Sequence, residues 1–316
     1  MKDNSSKLVY KVLENYYELG LTQQEIAEKY CISRIKVSRL ISKALKDKIV
    51  QIRINMPNDQ AGEMEQELER IYALSEVVVV DKSHEDLISG LGDAAADYLS
   101  RCTKGKEIIG VTWGRSLLAV IKVLPAMTLP DVKIVQMLGG LGNPDSDIHG
   151  TELVIRMAQV FNARARLLNS PGIVKSRAMC KALLDNMQVS DTLKLAEKAD
   201  TAIVGIGALT ANSLIMQQSK IITEEELKRL IQKGAVGDVG LRFFDRNGNQ
   251  IQDEIHERVV GLTFEQMQKL PRIIGVAGGK EKHTAILAAL RGKWINTLIT
   301  DYHTAQFLIN ESNNKQ

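Results

Sequence analysis

Four short apolar runs in this chain each end on glycine, and that pattern restricts the fold more than any other feature. Ile108–Val111 runs into Thr112-Trp113-Gly114-Arg115-Ser116, and Val135-Gln136-Met137-Leu138 into Gly139-Gly140-Leu141-Gly142. Ile203-Val204 runs into Gly205-Ile206-Gly207, and Ile274-Gly275-Val276 into Ala277-Gly278-Gly279-Lys280-Glu281-Lys282. Strands that are apolar without alternation are buried on both faces, which requires a mostly parallel sheet covered by helices on each side.

The intervening segments supply those helices. Apolar spacing predicts helices over Gln60–Tyr72, His84–Leu99, Arg115–Val123, Thr151–Phe161, Thr223–Lys233, Lys280–Leu290 and Asp301–Leu308. Strands are predicted at Val77–Val80, Ile108–Val111, Lys133–Leu138, Thr201–Gly205, Arg272–Ala277 and Asn296–Thr300. The fold class is α/β, a Rossmann-like doubly wound sheet preceded by a small helical head. Such sheets bind ligands beyond the carboxyl ends of their strands. Free helix N–H groups at Thr112, Gly114, Arg115 and Ser116, the glycine Gly207 and the cation Lys282 describe a polar pocket there. A small, polyhydroxylated or phosphorylated ligand suits it. No stretch fits Gly-x-Gly-x-x-Gly or a Walker loop, which disfavours a dinucleotide or ATP.

The head occupies residues 1–57. Leu8, Val12, Leu13, Tyr16 and Leu19 mark a first helix over Asn4–Leu19, closed by Gly20. Thr22 with Glu25 three residues on is a capping box for a second helix, and Ser33 caps a third, Arg34–Lys46. Val37, Leu40, Ile41 and Ala44 share one face of that helix, with basic residues around the other. Two short helices, a tight turn and a basic face form a helix-turn-helix, whose last helix enters the major groove. Lys36, Lys43 and Thr22 are expected at phosphates, with Gln23, Ser33 and Ser38 beside them. Arg34 and Arg39 are expected at guanine edges and Ile35 at a thymine methyl. The alternation Ile49–Ile54 predicts a strand, making the head a winged variant, before Pro57-Asn58-Asp59 breaks the pattern.

Charge agrees with this division. The net charge is only +3, yet Lys and Arg outnumber Asp and Glu in residues 1–57 and are outnumbered in 58–316. A basic head on a mildly acidic body suits a polyanionic partner. No apolar run approaches the ~20 residues that span a bilayer, and Met1–Ser6 has no signal core, so a cytoplasmic protein without a membrane partner is expected. Cys31, Cys102 and Cys180 are too scattered for a disulfide framework and read as buried thiols. The five histidines lack metal spacing, so no metal and no cofactor are expected.

These residues resemble the SorC family of sugar-responsive bacterial regulators. The resemblance rests on Ile32-Ser33-Arg34, Val37-Ser38-Arg39-Leu40, Gly110 through Ser116, Gln136 through Asn143 and His149-Gly150-Thr151-Glu152-Leu153. It continues through Pro171-Gly172-Ile173-Val174, Val204-Gly205-Ile206-Gly207, Gly234-Ala235-Val236-Gly237-Asp238 and Val276-Ala277-Gly278-Gly279. It implies a C-terminal domain, 58–316, similar to sugar-phosphate isomerases and deaminases but used for sensing and oligomerisation. It implies a sugar, polyol or sugar-phosphate effector and a homo-oligomer, dimer or tetramer, on palindromic double-stranded DNA operators. Matching positions extend the pocket to Gly139, Gly140, His149 and Asp238, beside Thr112, Gly114, Arg115, Ser116 and Lys282. Asp238 would accept sugar hydroxyls, and Arg115 or Lys282 would neutralise a phosphate. Some members carry a basic residue just before the paired glycines; Leu138 stands there, which excludes a covalent adduct at that place.

The expected function is a DNA-binding transcriptional regulator of a carbohydrate operon, with no catalytic group. The alternative is a sugar-phosphate isomerase or deaminase with an accessory head, Asp238 and His149 serving as acid and base.

Overall fold

The second and third helices of the head begin at the side chains that the sequence marks as their caps, Thr22 and Ser33, while the first spans Lys2–Tyr17 in place of the expected Asn4–Leu19. The computed structural model describes residues 2–50, 60–81, 86–140, 150–209 and 222–313. Helices α1 (Lys2–Tyr17), α2 (Gln23–Lys29) and α3 (Arg34–Lys46) fall within the first of two units, Met1–Asn58 and Asp59–Gln316. Gly20, at φ 67°, turns the chain between α1 and α2. The Thr22 hydroxyl accepts the Glu25 N–H at 3.2 Å, and the Glu25 carboxylate accepts the Thr22 N–H at 2.8 Å. The Ser33 hydroxyl accepts the Lys36 N–H at 3.2 Å.

Val12, Ile26 and Val37, one from each helix, are fully buried together with Leu13, Ala27, Ile41 and Ala44. Burying each of those three side chains is worth about 2 kcal/mol. Asn15 adds polar specificity: its amide donates to the Tyr30 hydroxyl at 2.9 Å and its oxygen accepts from Lys29 Nζ at 2.8 Å. The expected wing strand does not begin at Ile49. The amides of Ile49 and Val50 return to the Ala44 carbonyl at the end of α3, and the rest of the predicted strand lies outside the described residues.

The second unit opens with α4 (Gln60–Tyr72), β1 (Glu76–Val80), α5 (Leu87–Cys102), β2 (Ile108–Val111) and α6 (Arg115–Val123). Then come β3 (Lys133–Gln136), α7 (Gly150–Val160), β4 (Arg164–Arg166), α8 (Arg177–Leu184), α9 (Met187–Ala196) and β5 (Thr201–Gly205). A small hairpin region follows: β6 (Gly207–Ala208), α10 (Glu224–Gln232), β7 (Gly237–Val239), β8 (Arg242–Phe244) and the short α11 (Phe264–Met267). The chain closes with β9 (Ile273–Val276), α12 (His283–Arg291), β10 (Thr297–Asp301) and α13 (Tyr302–Asn313).

Seven strands form one parallel sheet in the order β1-β10-β9-β5-β2-β3-β4. From β2 the chain winds outward through β3 to β4, then returns to the other side of β2 at β5 and winds outward again through β9 and β10. The winding direction therefore reverses between β2 and β5. Alternate residues of the strands feed two apolar layers. Ile109, Val111, Ile203 and Val276 pack with α5, α6 and α7. Val77, Val79, Ala202, Val204 and Leu298 pack with α4, α9, α12 and α13. Strands β6, β7 and β8 form a separate antiparallel sheet.

Two polar devices secure the margins. Helix α4 lies along β1, the edge strand, and Glu69 and Glu65 accept the Val77 and Val79 amides at 2.9 and 2.8 Å. Arg242, buried in β8, donates to the carbonyls of Leu262, His256 and Gly261 at 3.0, 2.7 and 3.3 Å. Burial holds its pKa down at about 10, still far above neutrality, so it pins the 256–262 strap as a cation. Of the thiols, only Cys180 is buried as expected; Cys102 is half-buried and Cys31 exposed. The exposed position of Cys31 follows from the turn it makes at φ 51° between α2 and α3. Among the described residues no helix is long and apolar enough to cross a membrane.

Candidate functional site

Two surfaces carry the chemistry. The first is α3 of the head. Burying Val37, Ile41 and Ala44 leaves Arg34, Ile35, Lys36, Arg39 and Lys43 exposed, with Ile35 at 66%. An isoleucine that open to water is placed for an apolar contact with a base edge. Gln23 and Ser38 are half-buried. Thr22 and Ser33 already spend their hydroxyls as caps, and the Thr22 amide is held by Glu25.

The second is a cavity of about 390 Å³ at the carboxyl ends of β2, β5 and β9, where the winding direction reverses. That is where a doubly wound sheet leaves a crevice. Residues Thr112 and Arg115 come from the β2–α6 turn, Gly207 from β6, Asp238 from β7, and Gly279 and Lys282 from the turn after β9. Gly114 and Ser116 complete the β2–α6 wall.

Asp238 is the central group. It is buried; Oδ2 accepts the Leu241 amide at 3.0 Å, and Oδ1 has no partner. Burial pushes its carboxyl up to about 6, against the Leu241 N–H and the charge of Lys282, which both pull it down. Gly207 pairs with Asp238 across the small sheet, and a Cβ on Gly207 would overlap Oδ1. A glycine is therefore required there for the carboxylate to reach the cavity. Thr112 Oγ1 is likewise buried without a partner. Each such orphaned group costs roughly 1–3 kcal/mol until something satisfies it.

The same cavity also holds two cations, Arg115 and Lys282. Burial lowers the Lys282 pKa; Asp238 raises it and Arg115 lowers it further. Arg115 opens α6, whose cap Gly114 offers no side-chain hydrogen bond. The Lys280–Lys282 turn, capped by Gly279 in the same way, leads into α12. Two helix starts thus bring Arg115 and Lys282 to the same cavity, a charge that suits an anion. An orphaned carboxylate oxygen and an orphaned hydroxyl in the same cavity suit a polyol chain.

The cavity thus gathers Thr112, Gly114, Arg115, Ser116, Gly207, Asp238 and Lys282. It does not gather Gly139 and Gly140. Their backbone is committed elsewhere: the Gly139 amide donates to Val260 O at 3.0 Å, the Gly140 amide to Ser170 O at 2.8 Å, and Gly140 O accepts the Gly172 amide at 2.7 Å. A Cβ at Gly139 would strike the Pro171 backbone; this glycine serves close packing. His149 lies outside the described residues. Leu138, buried, supplies an aliphatic patch of wall. Sequence reasoning missed Leu87 and Ile88, which start α5 beside the cavity, because an apolar pair opening a helix signals core and nothing more. It also missed Asp301, whose carboxylate holds the Gly279 amide at 2.8 Å from behind. Among the described residues no cluster of three or more His, Cys, Asp or Glu is placed to hold a metal.

Comparison with known proteins matches both parts of the chain. Residues 57–310 match the Sugar-bind family model, a sugar-binding domain, and residues 10–47 match region 4 of sigma-70 factors. The deoxyribonucleoside regulator of Bacillus subtilis is 30% identical over 314 residues, 98% of this chain and 100% of that protein. The sorbitol operon regulator of Klebsiella pneumoniae is 28% identical over 308 residues, 96% of this chain and 98% of its own length. The crystal structure of full-length SorC from the same organism superposes with a TM-score of 0.75 at 27% identity, covering 97% of this chain and 100% of that one.

Proposed function

The chain belongs to the SorC family of sugar-binding transcriptional regulators, and from that premise we propose that residues 1–57 bind operator DNA while 58–316 bind the effector and oligomerise. The observation that carries the reading is the pairing of orphaned oxygens, Asp238 Oδ1 and Thr112 Oγ1, with the Arg115–Lys282 anion seat in one cavity. The two relatives above are named for deoxyribonucleosides and for sorbitol, so the effector class is a sugar, polyol or sugar phosphate. Its hydroxyls donate to Asp238, and Thr112 accepts or donates as the ligand demands. A phosphate sits at the starts of α6 and the Lys280–Lys282 turn. The chain senses this ligand without turning it over, as a dimer or tetramer on a palindromic site. Effector binding shifts the DNA-competent population by its differential affinity for the two states.

A fluorescence-anisotropy titration of promoter DNA from the chain's own operon, with and without sugars, polyols and their phosphates, tests this. Sequence-specific binding that one of them changes is the expected result; no specific binding under any condition overturns it. Within that assay Arg39→Ala weakens specific binding by about 1–3 kcal/mol. Equal losses on operator and scrambled DNA would instead assign Arg39 to a phosphate.

The raised Asp238 carboxyl also fixes a pH dependence. Above about 6 it is ionised and accepts hydroxyl hydrogen bonds; below, its proton removes an acceptor. Effector affinity therefore falls between pH 7 and pH 5, by up to about tenfold per unit. In the ligand-free protein the unfolded chain releases this proton near its ordinary value of about 4 and the fold only near 6. This group's contribution to stability is thus largest at low pH and is lost as pH rises through that window. Isothermal titration at pH 7.5 and 5.5 checks the affinity; Asp238→Asn removes the carboxyl's share and leaves that of any ligand phosphate.

A further inference from the structure

We propose that Asp301 is the joint through which the effector cavity acts on α4, the helix by which the chain enters the body after the head. Its two carboxylate oxygens serve two different elements. Oδ1 accepts the amides of His303 and Thr304, both at 3.1 Å, and so caps α13. Oδ2 accepts the Gly279 amide at 2.8 Å and the Thr304 hydroxyl. Gly279, at φ 93°, lines the cavity and starts the Lys280–Lys282 turn. One buried side chain therefore holds the ligand-binding turn with one oxygen and the start of α13 with the other. Burial alone would raise its pKa, but the Thr304 hydroxyl and the surrounding amides overcome that and hold it below the ordinary value, so it stays an anion.

From α13 the link continues to α4 at both ends. The Tyr302 hydroxyl donates to Gln60 Oε1 at 3.2 Å, on the first turn of α4. The Tyr72 hydroxyl, on its last, donates to Leu308 O at 2.9 Å. The two helices also pack through Leu68, Ala305 and Leu308 in a common apolar layer. Close-packed interiors transmit displacement instead of absorbing it. A ligand anion that draws the 279–282 turn inward pulls Gly279 against Asp301, and the cap of α13 moves with it. Gln60 then receives the shift through Tyr302, at the point where the chain arrives from residues 51–59.

The inference rests on the effector reading of the cavity, but its test needs no ligand, so the two fail separately. Amide hydrogen exchange is measured on the full-length chain for residues 278–283 and 64–72. Asp301→Asn retains an oxygen for the α13 cap and replaces the acceptor of the Gly279 amide with a donor. Exchange is expected to rise about fivefold in both segments, although α4 touches neither group. Tyr302→Phe raises it at 64–72, and combining the two adds nothing further there. If Asp301→Asn does not fold, Thr304→Val, which deletes the hydroxyl shared by Asp301 and Gly279, takes its place with the same expected pattern. Faster exchange at 278–283 with wild-type rates at 64–72 overturns the proposal. So do effects of the two substitutions that simply add.

Discussion

Asp238→Ala leaves operator affinity as it is and removes the effector response. The carboxylate offers one oxygen to the ligand while the other is held by the Leu241 amide. Charge-assisted hydrogen bonds are worth about 1.5–3 kcal/mol each, so losing one or two hydroxyl contacts weakens effector binding about 100-fold. The ligand-free variant should melt at a similar temperature. It loses an acceptor for the Leu241 amide but sheds a buried carboxyl whose ionisation the fold resists. An anisotropy titration of labelled operator with rising effector reads the result. An intact response in this variant would move the ligand to another part of the body.

Gly248→Ala acts in the turn that follows β8 and is the largest stability effect expected. Gly248 stands at φ 83°, and an added Cβ would overlap backbone atoms of Gly292 and Ala288. Neither can move cheaply: both belong to the end of α12, and Trp294 donates its indole N–H to Gly248 O at 2.8 Å. Trp294 is itself held between Phe264 and Phe244, with ring centroids 3.9 and 4.9 Å away. Strained backbone costs about 1–2 kcal/mol and overpacking about 1–3 kcal/mol, so a loss of roughly 3 kcal/mol is expected in urea unfolding of the body. Because Phe244 and Asp238 lie on paired strands, effector affinity falls along with it. A loss under 1 kcal/mol would mean that this turn can lift from α12.

Much of the body was legible because its strands are apolar on both faces and its helices carry their own caps. Gln60–Tyr72, Ile108–Val111 and Arg115–Val123 fall on the predicted residues, and the helix predicted from Thr223 begins there in a capping box with Glu226. The β7–β8 hairpin was not legible. Its turn places both Gly240 and Leu241 at positive φ, 59° and 61°, where a sequence reader looks for Asn-Gly or Asp-Gly. Leucine is tolerated because its side chain is fully buried and its amide is held by Asp238; tertiary contacts override the local preference. Strand β4, Arg164-Ala165-Arg166, lacks any apolar signal because it is an exposed edge. Helices α8 and α9 are capped by Ser176 and Asn186, but weakly apolar stripes hid them. For the site, glycines at strand ends located the crevice. They did not distinguish glycines that face the cavity from Gly139, which makes room for Pro171.

The two glutamates that α4 lays along β1 have a practical consequence for dissecting the chain. Val77 and Val79 present amides on the outer side of an apolar strand, and carboxylates stand in for the next strand's carbonyls. A fragment beginning after Tyr72 would leave those amides open beside Val77 and Val79, a template on which another chain can add itself. The effector-binding body is therefore best separated from the head ahead of Gln60. A fragment trimmed to the sheet's first strand would grow into aggregates at its own uncovered edge.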